Sequence, residues 1–199
     1  ANYTDNFKLS KDAVTKKYIA STIKSTSVNF YDVSAVNKRA SEASSDDLNS
    51  MVRTYKNTDD FELDRSLVSA VYAKQLQSVL YNDITGREKG EEVADYTENY
   101  KLSKTSATAY GDSTIKSTSV NFYQEIWNDL NGDTVRDADE LSRARASDAT
   151  SDDLNSMVRT FKNHPDFAVS GIDSASVIAL QSVLINDLTG REKGEEVAN

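Results

Sequence analysis

Three blocks of this chain recur almost letter for letter, and no other feature limits its fold so tightly. STIKSTSVNFY begins at 21 and at 113, SDDLNSMVRT at 45 and at 151, and TGREKGEEVA at 85 and at 189. A fold that satisfies one copy must satisfy the other, so the chain reads as two versions of one module. The spacing between copies is 92, then 106, then 104 residues. The second copy therefore carries 14 extra residues between the first two blocks, within 124–141. The opening Ala1, Asn2, Tyr3, Thr4 matches Ala94, Asp95, Tyr96, Thr97, and Ala198, Asn199 begin the phrase again. The economical expectation is a two-module piece of a longer tandem array, with modules at 1–93 and 94–199.

Composition points to thin modules. Hydrophobic residues are 38% of the 199 and mean hydropathy is -0.60, so each module has one amphipathic layer over a small interior. A formal charge of -9 argues against nucleic acid and anionic membrane surfaces, which need clustered Lys and Arg. With no cysteine, disulfides, thiolate chemistry and sulfur-ligated zinc are excluded. No apolar run approaches the ~18 residues of a membrane helix. The start at Ala1, without an initiator Met or a leader, gives the expectation of a mature product or excised fragment.

Hydrophobic spacing predicts helices. Leu48, Met51, Val52 and Tyr55 fall at i, i+3, i+4 and i+7, as do Leu154, Met157, Val158 and Phe161. Ser45 and Ser151 stand as N-caps, with Asp46, Asp47, Asp152 and Asp153 in the first turn. A longer helix is expected over 65–85, with Val68, Val71, Tyr72, Leu76, Val79, Leu80 and Ile84 on one side and Gly86 as its stop. Val177, Leu180, Leu184, Leu188 and Gly190 repeat it. Val93, Tyr96 and Tyr100 predict a helix bridging the modules. STIKSTSVNFY suits a strand by propensity. However, Val120, Tyr123, Trp127 and Leu130 follow at steps of 3, 4 and 3, so it is read as helix. Pro165 sits in a turn. The expected fold is mainly α: two tandem helical modules of the same topology, the second with an inserted loop.

The insertion is the one stretch whose residue types call for a particular chemistry. In DLNGDTVRDADE, oxygen-bearing side chains stand at Asp129, Asn131, Asp133, Asp137 and Glu140, positions 1, 3, 5, 9 and 12. A hard cation such as Ca²⁺ takes about 6 to 8 oxygens, and about 12 residues can supply them from those positions plus the carbonyl at position 7, here Val135. Flanked by two expected helices, one ending near Leu130 and one beginning around Ala138, the segment 120–146 resembles an EF-hand. It has a weaker likeness to the shorter loops of dockerin modules. The EF-hand resemblance implies carboxylate ligands at Asp129 and Asp133, an amide ligand at Asn131, a bidentate Glu140, and Asp137 directly or through water. Two positions depart from the pattern: Thr134 stands where a glycine is usual, and Arg136 where a hydrophobic residue is usual. The dockerin-like register makes Asp139 the last ligand instead. A solvated Asp/Asn turn would need no metal, but so many carboxylates in one short loop repel unless a cation neutralises them. Ca²⁺ is preferred over Mg²⁺ because the ligands are many and all from protein. Copy one has YDVSAVNKRASEA at this place, so only module two should bind.

The remaining motifs are plain. His164, the one histidine, lies in a turn beside Pro165 with no nucleophile near it in sequence, so triad hydrolysis is not expected. GREKGEEVA lacks the order of a phosphate loop. Adjacent acids such as Glu91 and Glu92 point apart and make no acid/base pair. Trp127 is expected in the core behind the loop, with sugar stacking as its alternative. The expectation is a structural or interaction protein and not an enzyme. It would be part of a larger secreted or cell-surface protein, with Ca²⁺ stabilising module two and neighbouring modules of the same chain as partners. The alternative is a calcium-dependent module that recognises a protein or glycan.

Overall fold

The computed structural model describes residues 1–58, 68–107, 109–127, 141–165, 167–188 and 197–198. The chain is built from antiparallel β-strands, and the mainly α expectation is overturned. Among the described residues the only helical pieces are two three-residue 3-10 turns, Ala146–Asp148 and Val169–Gly171. The strands are β1 (Tyr3–Lys11), β2 (Tyr18–Val33), β3 (Val36–Arg39), β4 (Asn49–Lys56), β5 (Leu76–Asp83) and β6 (Val93–Lys104). They continue as β7 (Tyr110–Trp127), β8 (Leu141–Ala144), β9 (Asn155–Lys162), β10 (Leu180–Asp187) and β11 (Val197–Ala198). The expected helices around 45–57 and 151–163 are β4 and β9. Within 65–85 the described strand is β5, repeated as β10, and the expected bridging helix is β6. Gly86 does not stop a helix; with Gly90 it supplies the positive φ of the turn between β5 and β6.

Three physical causes make these strands look helical. In β4 the buried residues are Met51, Arg53 and Tyr55, a strict period of two. Because the middle member is an arginine, counting apolar letters alone leaves steps of three and four. The second cause is a β-bulge. Leu180 pairs with Phe161 and Ser182 with Thr160, so Gln181 is an extra residue that brings Leu180 and Val183 to one face at a helical step. The third is that β7 carries apolar residues on both faces. Val120 belongs to a cluster with Phe122, Met157 and Phe161, whereas Tyr123 belongs to one with Val93, Ala146 and Ala149.

Two compact units result, one of Ala1–Val79 with Asn99–Ile115 and the other of Leu80–Glu98 with Lys116–Asn199. In the first, β2 lies between β1 and β4 and also carries β3. Val28, Phe30, Met51 and Tyr55 are buried there. In the second, β9 lies between β7 and β10, and β7 carries β8. Its core of Val120, Phe122, Met157 and Phe161 is covered by Tyr96, Phe167, Val169, Ile172 and Leu180.

The register repeats residue by residue. Phe30 faces Met51 and Val28 faces Arg53, as Phe122 faces Met157 and Val120 faces Arg159. The ladder then slips at the same place, between Phe30 and Tyr31 and between Phe122 and Tyr123. Ser50 and Ser156, the extra residues there, donate their hydroxyls to Phe30 O (3.3 Å) and Phe122 O (3.1 Å). Tyr31 donates to Ala1 O, and Tyr123 to Ala94 O.

Candidate metal centre

The insertion falls at the tip of a β-hairpin. In the first repeat β2 turns into β3 through Ser34 and Ala35, with φ of 52° and 63°. Positive φ at both central residues is the tight turn whose twist suits two antiparallel strands. In the second repeat the β7–β8 ladder has three pairs beyond Tyr123 and Ala144, against two beyond Tyr31 and Lys38 in the first. Glu125 faces Arg143, Ile126 faces Ser142 and Trp127 faces Leu141. The hairpin then runs into 128–140. Helices expected on either side of the loop are replaced by strands at Tyr110–Trp127 and Leu141–Ala144.

The ligand candidates Asp129, Asn131, Asp133, Val135, Asp137 and Glu140, and the alternative Asp139, lie outside the described residues. So do Thr134 and Arg136. What the structure fixes is the frame. Residues facing each other in an antiparallel pair have Cα atoms about 4.5–5.5 Å apart, so Trp127 and Leu141 hold the two ends of the segment together. Asp129 is two residues beyond that pair and Glu140 one residue before it. The first and last ligands of a 12-residue cation loop must converge on one ion, and a paired base favours that convergence as two flanking helices would. The side chain of Trp127 is likewise outside the description.

Elsewhere, among the described residues, no three His, Cys, Asp or Glu side chains gather in a way that could hold a metal. His164 is exposed in a turn, its carbonyl accepting from Phe167 N at 2.9 Å. Asp173 borders a cleft of about 450 Å³ lined by Phe167, Ile172, Val177 and Ile178. Its carboxylate accepts from Ser176 Oγ at 2.7 Å and Ala175 N at 3.0 Å, and the Ser176 hydroxyl holds its pKa below the ordinary value. Such a carboxylate stabilises its own turn and is a poor general base.

The residues that hold the scaffold, and that spacing alone missed, are arginines. Arg39 donates through Nε and Nη2 to Asn2 Oδ1 (2.9 and 2.7 Å) and through Nη1 to Val68 O (2.9 Å). Arg145 does the same with Asp95 Oδ1 (3.0 and 2.7 Å), and through Nη1 with Val169 O (3.0 Å) and Ile172 O (2.8 Å). Arg53 donates to Ala70 O and to Tyr72 O (2.8 Å), and Arg159 to Ser174 O. A guanidinium satisfies several carbonyls from one rigid fork, so it can fasten an irregular connection onto a sheet. In the second unit Arg87 pairs with Asp83 at 2.7 Å and donates to Ala146 O and Ala149 O (2.8 Å), bracing the turn that follows β8. The usable signal was the recurrence of Arg39 as Arg145, and of Arg53 as Arg159 within an otherwise apolar alternation. No helix among the described residues is long and apolar enough to cross a membrane. No family model, curated protein or solved structure matches the chain.

Proposed function

We propose that the chain is a structural, tandem-repeat β protein in which 128–140 binds one Ca²⁺ and locks the β7–β8 hairpin. The single observation that carries this reading is the replacement of a two-residue hairpin turn by an acidic 128–140 on an otherwise repeated frame. An unliganded 13-residue loop raises the entropy cost of closing the hairpin and gathers like charges. A cation offsets both, which makes it a clip. Asp129, Asn131 and Asp133 supply side-chain oxygens, Val135 its carbonyl, and Asp137 and Glu140 complete the shell. The -9 charge and the absence of cysteine suit an extracellular or cell-surface setting where calcium is abundant, with neighbouring repeats as partners.

Calorimetric titration of the whole chain with Ca²⁺ tests this. One site per chain is expected, with Mg²⁺ binding more weakly. At free Ca²⁺ about 100 times Kd, the unit that holds the hairpin should gain ~2.7 kcal/mol of stability. No heat, or no rise in melting temperature over chelator, would end the proposal. The cleft beside Phe167 favours a second reading, calcium-dependent recognition of a protein or glycan. That reading requires Phe167→Ala to abolish ligand capture while leaving Ca²⁺ binding intact.

A further inference from the structure

The block TGREKGEEVA at 85–94 ends the first repeat by sequence, yet it lies in the compact unit of Leu80–Glu98 with Lys116–Asn199. It builds its own turn. Glu91 N donates to Glu88 O at 3.0 Å, Glu91 Oε2 accepts from Glu88 N at 3.0 Å, and Glu92 Oε2 accepts from Gly90 N at 2.9 Å. From that turn Arg87 reaches into the second repeat. Its Nε donates to Asp83 Oδ2 at 2.8 Å, and its Nη2 to Ala146 O and, at 2.8 Å, to Ala149 O. The side chains of Arg87 and Asp83 are 10% and 13% exposed, so the pair is largely out of water. Val93, at the start of β6, is buried with Tyr123, Ala146 and Ala149.

What Arg87 and Val93 grip is the far end of the β7–β8 hairpin. β8 has four residues, Leu141–Ala144, and pairs with β7 alone among the described strands. So short a two-stranded ladder is marginal by itself. In the first repeat the returning strand β3 is set by the two-residue turn at Ser34 and Ala35. In the second the strands are joined through 128–140, so no tight turn sets β8 and its position falls to the anchors behind it. Those anchors are Arg87 and Val93 on Ala146 and Ala149, and Asp95 on Arg145. Glu140 stands one residue before β8, so a shift of β8 carries the last ligand candidate with it.

We infer that the turn 83–93 of the first repeat sets the calcium affinity of the second repeat's hairpin, with Arg87 as the positioning residue. The inference rests on the reading of 128–140 as a Ca²⁺ loop and deepens it by naming what regulates that loop. Arg87 touches no ligand candidate among the described contacts; it acts by holding the arm that leads to Glu140. A guanidinium suits this task, because one fork meets a carboxylate and two carbonyls where a lysine offers a single point charge. The coupling is reciprocal: if the clamp tightens calcium binding, bound calcium must tighten the clamp. One repeat then responds to calcium through the repeat before it.

Calorimetric titration of the full chain with Ca²⁺ tests this in four forms: natural, Arg87→Lys, the double variant Asp83→Asn with Arg87→Gln, and Arg39→Lys. Arg87→Lys keeps a charge opposite Asp83 but loses the fork, and the double variant leaves no unpaired carboxylate. Both should raise Kd about tenfold while still taking about one Ca²⁺ per chain. Arg39→Lys, at the equivalent scaffold arginine's partner Asn2 in the first unit, should leave Kd unchanged. Circular dichroism checks that each β-sheet persists. Hydrogen exchange of the natural chain needs no variant: Ca²⁺ should slow exchange at 146–149 and at 87–91, and Arg87→Lys should abolish that protection. Equal Kd values in the folded clamp variants, or no calcium-dependent protection at 87–91, would overturn the inference and leave the calcium reading standing. No calcium heat from the natural chain would overturn both.

Discussion

The two hairpins β2–β3 and β7–β8 grow from the same register and end differently. Phe30 and Phe122 sit at the same buried place in their strands, and Arg39 and Arg145, at the ends of the returning strands, reach Asn2 and Asp95 with the same fork of hydrogen bonds. One hairpin then turns through Ser34 and Ala35, and the other continues through Trp127 into 128–140. What repeats is buried and hydrogen-bonded; what differs is at the tip and is rich in oxygen-bearing side chains. A scaffold position tolerates little change, whereas a hairpin tip accepts an insertion because the paired strands beneath it already fix both ends.

The largest expected effect tests whether the scaffolds are energetically as well as geometrically equivalent. Phe30→Ala and Phe122→Ala each remove a fully buried ring and should each cost about 3–5 kcal/mol in denaturant unfolding. Strongly unequal costs would mean that the repeats share geometry without sharing load.

A smaller effect separates the repeats by pH. Tyr55 is buried where the second repeat has Phe161, and burial raises its pKa to about 12. The unfolded tyrosine titrates near 10, so the folded state favours the neutral phenol. That stability is fully present below pH ~10 and is lost as pH rises through about 12. Tyr96, raised to about 12 chiefly by burial, acts in the same window in the second unit. Tyr55→Phe should flatten the alkaline loss that Tyr55 causes, measured as urea midpoints across that range. An unchanged slope would place the titration elsewhere.

The smallest effect concerns the side-chain partner of Arg39 and Arg145. Asp95 gives Arg145 a charged acceptor where Asn2 gives Arg39 a neutral one. Asp95→Asn should cost about 1 kcal/mol and Asn2→Asp should gain a similar amount, both shrinking in high salt. Equal and salt-independent effects would show that hydrogen bonding alone matters there.

Much of this plan was legible before the fold was known. The duplication, the place of the insertion and the acidic spacing at Asp129, Asn131 and Asp133 follow from letters alone. The strands did not. Arg53 hides a period of two, the bulge at Gln181 adds a step of three, and β7 is apolar on both faces. Each substitutes a helical spacing for an alternating one, and strand propensity in STIKSTSVNFY was the better guide.

The central claim is that 128–140 is a self-sufficient calcium loop set into a repeated frame, and calcium stoichiometry tests it most directly. Three chains suffice: the natural one, one with 128–140 replaced by Ser-Ala as in the first hairpin, and one with Ser34 and Ala35 replaced by 128–140. Calorimetry should give about one, zero and two Ca²⁺ per chain, at the ~6 to 8 oxygens per ion that each loop can supply. Binding that persists without the loop, or a grafted loop that binds nothing while the chain stays folded, would contradict the account.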